Sequence, residues 1–228
     1  EELDIEKVKK FSPLIKPSNL KNLVTNNIYK GMLNLEIEFY FNQDNKVDNF
    51  ITRGKVFELS FNIKDNILFE NSKFSFFADK SDILINNISG KANGVDVEDG
   101  DLKIILSPKI SLVSNFETKI KLNNSLINQY IDFYGKNEIS KSINELKANL
   151  INNLELDLDN TYKLKKFNFN TRGKINKIDF NFLNSQMNLI NKELKTANIR
   201  ESSINFSFSP KKITTELNGK YSLNNKNY

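Results

Sequence analysis

The chain contains no cysteine, no histidine and no tryptophan. Without cysteine there are no disulfides, thiolate metal sites or thiol nucleophiles, and without histidine there is no His-based triad or metal centre. The lack of cysteine is compatible with an oxidising compartment but does not establish one. No apolar run approaches the ~20 residues that span a bilayer. No signal-peptide pattern is visible. Arginine is scarce, at Arg53, Arg172 and Arg200, so the net charge of +5 rests on lysine. The lysines are scattered beside Asp and Glu. That is the pattern of a solvated mixed-charge exterior, and no nucleic-acid partner is expected. No Gly-rich phosphate loop is present.

What the chain does have is an internal repeat. Leu35 to Ile63 recurs without gaps as Leu154 to Phe182, at a constant offset of 119 residues (154 − 35). About a third of the positions are identical, including Thr52-Arg53-Gly54-Lys55 against Thr171-Arg172-Gly173-Lys174. A long-period repeat signals a duplicated supersecondary unit whose copies stack. The expected division is residues 1–124 for the first repeat and 125–228 for the second. The second copy stops before an equivalent of Asp99-Gly100, and the first residue is Glu, so a segment of a longer array is expected.

Alternation with period two dominates both copies. In the first, Leu35, Ile37 and Phe39 alternate with polar residues, as do Phe57, Leu59, Phe61 and Ile63, then Phe74 and Phe76, then Leu102 and Ile104. In the second, the same holds for Leu154, Leu156 and Leu158, for Phe167 and Phe169, for Ile178, Phe180 and Phe182, and for Phe206 and Phe208. Strands with one apolar and one wet face belong to antiparallel sheets. Register is all-or-none, so all these residues are expected to face one interior, away from Glu36, Glu58 and Asp179.

The links read as turns: 43–46, 79–80, 107–109, 159–161 and 209–212, with Asp99-Gly100 as the strongest type I′ signal. Helices are few. Ser18 after Pro17 reads as an N-cap for a helix to Tyr29, and the offset carries it to Glu138–Leu150, where Ile139, Ile143, Leu146 and Leu150 repeat the spacing. Ser125–Tyr134 is a third candidate, and 184–198 is ambiguous. The predicted fold is therefore mainly β, a long antiparallel meander in two repeats with a few short helices. A sandwich or a closed barrel would also cover the apolar face. A duplicated unit favours an open sheet curled into a groove.

No catalytic constellation stands out, and no cofactor is expected. Glu98, Asp99 and Asp101 are an acidic cluster of the kind that binds Ca²⁺, but Asp-Gly reads first as a turn. Arg53 and Arg172 have forks suited to phosphate; the simpler expectation is that each Gly permits a bend or bulge while the Arg stays in water.

The run Ile85 to Leu106 (INNISGKANGVDVEDGDLKIIL), with its SG step and DGDLKI hairpin, resembles the AsmA-like family of Gram-negative envelope proteins, especially its YhdP- and TamB-type members. The strands around the two Thr-Arg-Gly-Lys blocks add to the resemblance. It implies a taco-like apolar groove in the periplasm, an inner-membrane anchor outside these residues, and transfer of phospholipid towards the outer membrane. The residues named above would then line a lipid groove. Two other functions fit the pattern: a chaperone-like element that aids outer-membrane protein assembly by strand addition, and a β-solenoid scaffold with a dry core.

Overall fold

A computed structural model describes residues 2–10, 23–63, 67–107, 109–134, 142–159, 163–182, 194–224 and 226–227. The chain is mainly β. Its strands are β1 (Glu2–Asp4), β2 (Ile28–Phe41), β3 (Val47–Ile63), β4 (Ile67–Ala78), β5 (Asp82–Ala92), β6 (Val95–Ile105), β7 (Ile110–Asn123), β8 (Ile143–Leu158), β9 (Leu164–Asn181), β10 (Thr196–Ser209), β11 (Lys212–Leu223) and β12 (Lys226–Asn227). They form one open antiparallel sheet in which each strand lies beside its neighbours in sequence. Among the described residues, two short α-helices interrupt it, α1 (Ile5–Lys10) and α2 (Asn124–Tyr134). Two compact units partition the chain. Unit 1 comprises Glu1–Ala92, Val97–Phe116 and Leu154–Phe167; unit 2 comprises Asn93–Asp96, Glu117–Asn153 and Asn168–Tyr228. The boundary at residues 124 and 125 expected from the repeat falls inside unit 2.

The helix at 125–134 is present as α2, with Asn123 Oδ1 accepting the Leu126 N–H as an N-cap. The other two expected helices fare differently. Of Ser18–Tyr29, residues 18–22 lie outside the described residues; Leu23–Asn27 is a single π-turn, and β2 begins at Ile28. Residues 138–141 are also outside the description, but Ile143, Leu146 and Leu150 stand on β8. Their three- and four-residue spacing suits a helix, yet β8 also runs Leu146, Ala148, Leu150 and Asn152 with period two. Pairing with both neighbours overrides local preference.

The Asp99-Gly100 turn is a second correction. It lies inside β6, and the hairpin between β5 and β6 closes instead at Asn93-Gly94, where φ is +39° and +87°. Both central residues thus have the positive φ of a type I′ turn. A Cβ on Gly94 would stand 2.7 Å from the Lys121 carbonyl oxygen.

Asp99 belongs to a set of non-glycine residues held at positive φ within strands: Glu58 (49°), Asn71 (50°), Asn87 (57°), Asp99 (48°) and Glu201 (45°). Pairing registers slip beside Glu58, Asn71, Asn87 and Glu201. A bulge puts an extra residue into one strand and bends it. The extra residue also reverses the alternation. Val56 and Leu59 share a face across Glu58, as do Ile85 and Ile88 across Asn87, and Ile199 and Ser202 across Glu201. Small residues crowd beside these bends. A Cβ on Gly90 would meet Ser72 at 2.5 Å, one on Gly100 would meet Ile88 at 2.9 Å, and one on Gly219 would meet Ser202 at 2.0 Å.

The two Thr-Arg-Gly blocks occupy corresponding mid-strand positions on β3 and β9. Neither glycine makes a bulge. Each is needed for close approach: a Cβ would stand 2.3 Å from the Asn34 carbonyl oxygen at Gly54 and 2.1 Å from that of Asn149 at Gly173. The registers differ, however. Gly54 pairs with Leu35, whereas Gly173 lies against Leu150, four residues before the Leu154 that matches Leu35 in sequence. An even slide leaves every side chain on its own face.

If the bulges set the bend, backbone conformation and not side-chain chemistry governs stability there. Asn87→Ala should destabilise by about 1 kcal/mol, because alanine keeps the Cβ but lacks the local polar side chain that lets Asn tolerate left-handed backbone, while Asn87→Gly, with no Cβ, should cost little. Urea unfolding of both variants distinguishes this from loss of an Asn side-chain contact, which would make the two equal.

Candidate functional site: an apolar sheet face

In unit 1 the apolar face begins with Leu35, Ile37 and Phe39 of β2, which stand opposite Gly54, Thr52 and Phe50 of β3. Val56 continues it to Phe74, and Gly54 to Phe76. Beyond the Glu58 bulge, Leu59 is over Gly31, and Phe61 stacks on Phe69 with centroids 4.9 Å apart. The side chain of Ile63 lies outside the described set. On β6, Leu102 and Ile104 alternate with the exposed Asp101 and Lys103. Leu154, Leu156 and Leu158 alternate with Glu155 and Asp157, whose carboxylates pair with Lys166 (2.7 Å) and Lys109 (2.8 Å). Phe167 is half-buried on β9.

Phe57 is a correction. It stands opposite Met32, in the row that holds Asn34 and Glu36, and both it and Met32 are exposed. The apparent alternation Phe57, Leu59, Phe61 is broken by the bulge at Glu58. Phe57 is therefore on the wet face while Leu59 is on the apolar one.

Leu3, Ile5, Ile28, Gly31, Met32, Leu33, Val56, Leu59 and Phe74 enclose a recess of about 170 Å³ in unit 1. Leu3 and Ile5 come from β1 and α1, so the N-terminal segment folds over this end of the face.

In unit 2, Phe169 meets Phe206 edge-on at 6.4 Å and pairs with Phe208 across the strands. Past the Glu201 bulge the face continues with Ile178, Phe180 and Phe182; the last two rings stack at 5.7 Å. Phe180, Phe182, Ala197, Ile199, Leu217, Tyr221 and Leu223 line a recess of about 350 Å³, together with Asn198, Ser202, Gly219 and Lys220.

One feature of unit 2 was missed from sequence. Asn152 Nδ2 donates to Thr118 Oγ1 (3.1 Å), and Thr171 Oγ1 donates to Asn152 Oδ1 (2.7 Å). All three residues are buried. Asn152 stands where Ile37 stands relative to Thr52 in the first pair of strands, so a polar rung replaces an apolar one. Satisfied hydrogen bonds make such burial tolerable. An apolar-to-polar change at one member of an alternating row was the available signal, but Asn is so common in this chain that it did not stand out.

The opposite face is ionic. In unit 1, Arg53 forks onto Glu36 (2.8 and 2.9 Å) and reaches Glu38 (2.9 Å), so its fork is engaged within the protein. The guanidinium holds the Glu36 carboxyl below its usual range. In unit 2, Lys177 lies between Glu145 and Asp179, Lys147 joins Glu145 (2.6 Å), and Arg200 joins Asp179 (2.6 Å). Hydrogen bonds from Lys147 and Lys177 lower the Glu145 pKa to about 2. Among the described residues, no group of three or more acidic side chains is placed to hold a metal ion. No helix among them is long and apolar enough to cross a membrane.

The chain matches no protein-family model, no curated protein and no solved structure.

The lowered carboxyl pKa values fix the sign of the pH dependence. Glu145 titrates near 4.5 when unfolded and at about 2 when folded, so its contribution is complete above pH ~4.5 and lost as pH falls towards 2. Thermal unfolding scans should show the midpoint falling across that window, and Glu145→Gln should reduce the slope there. An unchanged slope would mean that the Lys147–Glu145–Lys177 cluster does not form in solution.

Proposed function

We propose that the chain is a segment of an envelope lipid-transfer protein. Its apolar sheet face carries the acyl chains of phospholipid between inner and outer membrane, in the periplasm. An anchor outside these residues holds it to the inner membrane. The resemblance carried by Ile85 to Leu106 supports this reading.

The single observation that carries it is the exposure of large side chains on the apolar face. Phe39 is 56% exposed, Ile37 47%, Ile213 64% and Leu217 44%. Among the described hydrophobic residues only Ile67, Ala92, Leu122, Ile127, Ala148, Ile175 and Phe182 are buried. Apolar surface left in water forgoes about 25 cal/mol per Å². Within each unit, apolar side chains exposed on one face mark a binding surface more often than an accident of folding.

The mechanism follows from what such a face offers. Methylene chains gain by leaving water but form no directional bonds with Leu, Ile and Phe. The attraction is nearly the same at each position along the strands, so a bound chain can move without breaking a specific contact. Headgroups stay with solvent. The role is transport, and no bond is made or broken.

The test is to purify the chain from cells, identify co-purifying phospholipid by native mass spectrometry, and repeat the measurement for Phe61→Asp and Phe180→Asp. A charge on an acyl path should cut bound lipid about tenfold or more, equivalent to at least 1.4 kcal/mol. In an open face water still solvates the carboxylate, so the thermal midpoint should change little. Collapse of the fold would favour a dry-core scaffold instead. Unchanged lipid binding would show that lipid does not occupy this face.

A further inference from the structure

The two copies of the repeat treat the same arginine differently. In the first, Arg53 stands opposite Glu36, and its fork takes the Glu36 carboxylate at 2.8 and 2.9 Å and that of Glu38 at 2.9 Å. In the second, Gly173 lies against Leu150 and Thr171 bonds Asn152, which brackets Arg172 opposite Ile151. The four-residue slide therefore puts Ile151 and Asn153 where Glu36 and Glu38 stand. The sequence counterparts of those acids, Glu155 and Asp157, pair instead with Lys166 and Lys109. On its other side Arg172 stands opposite Asn205, and Lys174 opposite Ser203. Among the described residues, no carboxylate forms an ion pair with Arg172 or Lys174. Both side chains are exposed, and so is that of Ile151, at 39%. Strand β9 has a neighbour on each side here, so it is the register, and not a sheet edge, that leaves this guanidinium without a counter-ion.

We infer that the wet face of unit 2 docks an acidic segment of another protein, with Arg172 taking two carboxylates set two residues apart in an extended chain. The first copy shows which chemistry satisfies this residue. A planar fork binds one carboxylate through two parallel N–H···O bonds and still has a donor for a second. Acids at positions i and i+2 of an extended chain project to one side, as Glu36 and Glu38 do. Lys174, two residues along β9 on the same face, adds a second positive charge to the match. Ile151 gives the segment an apolar contact beside the fork, which a small inorganic anion would leave unused. The surface is the one turned away from the apolar residues, so the inference does not depend on what the apolar face carries.

The arginines of the chain are Arg53, Arg172 and Arg200, so isotopic labelling of arginine alone resolves each Nε–Hε group by NMR. The probe is the soluble peptide Ser-Thr-Glu-Thr-Glu-Thr-Ser. Titration should move the Arg172 signal saturably and leave those of Arg53 and Arg200, whose guanidiniums are already paired, in place. Replacing both Glu of the peptide by Gln should weaken binding about tenfold or more, and so should Arg172→Lys, because an ammonium has no fork. Ile151→Glu supplies the first copy's arrangement from within. It should hold the thermal midpoint and abolish peptide binding, which separates a filled site from a misfolded chain. Should Ile151→Glu fail to fold, Arg172→Lys decides. An Arg172 signal that does not move overturns the proposal. So does one that moves as much with inorganic phosphate or short-chain phosphatidylglycerol as with the peptide, or a folded Ile151→Glu that still binds.

Discussion

The structure depends on the pleat. Successive residues of a strand point to opposite faces, so a chain with one apolar face must keep its phase over every strand. Straight strands of this length do so without help, as β7 does from Ile110 to Leu122. A strand that bends by a bulge gains a residue and loses its phase. In β3, β4, β5, β6 and β10 the sequence changes phase at the bulge, so apolar residues on both sides of the bend stay on one face. Conformation and composition are thus matched residue by residue. The cost is a side chain in left-handed backbone at each bulge, about 1 kcal/mol for an ordinary residue and less for Asn and Asp. Asn71, Asn87 and Asp99 are the inexpensive choices; Glu58 and Glu201 instead gain ion pairs with Lys30 and Lys220.

Bending also brings backbones close. That is why Ser72 faces Gly90 and Ser202 faces Gly219, where any larger pair would collide. The two Thr-Arg-Gly blocks answer a different demand. Their glycines let adjacent strands approach in a regular ladder, and their arginines lie on the wet side. The four-residue slide of β8 shows how sequence similarity and structural neighbourhood part company. Pairing partners changed, yet the even step preserved which side chains face inward.

The division of labour between the faces gives the functional reading its physical basis. The ion-pair networks lie on one side, where Arg53 and Lys177 tie acidic residues across adjacent strands. Exposed pairs of this kind add little stability each, but they keep that side wet. The other side offers aromatic and aliphatic surface, much of it uncovered. The exception is the Thr118–Asn152–Thr171 rung, where the hydrogen-bonding capacity is spent internally.

The sequence by itself determined the strand content, the antiparallel order, α2 and the membership of most of the apolar face, because a period-two pattern over ten residues has few other solutions. It also carried a signal that simple alternation overlooks. Glu70-Asn71, Asn86-Asn87, Glu98-Asp99 and Arg200-Glu201 are adjacent polar pairs set between inward residues, and each marks a bulge. At Phe57-Glu58 an outward Phe hides the same event, so simple alternation places Phe57 on the wrong side. Only the tertiary structure decided the rest. It made Leu146 and Leu150 strand residues despite helical spacing, because the neighbouring strands satisfy their backbone groups. It moved the β5–β6 hairpin from Asp99-Gly100 to Asn93-Gly94. Both dipeptides accept positive φ locally, but only Asn93-Gly94 stands where β5 turns into β6, whereas Gly100 lies inside β6 beside Ile88 and Phe116.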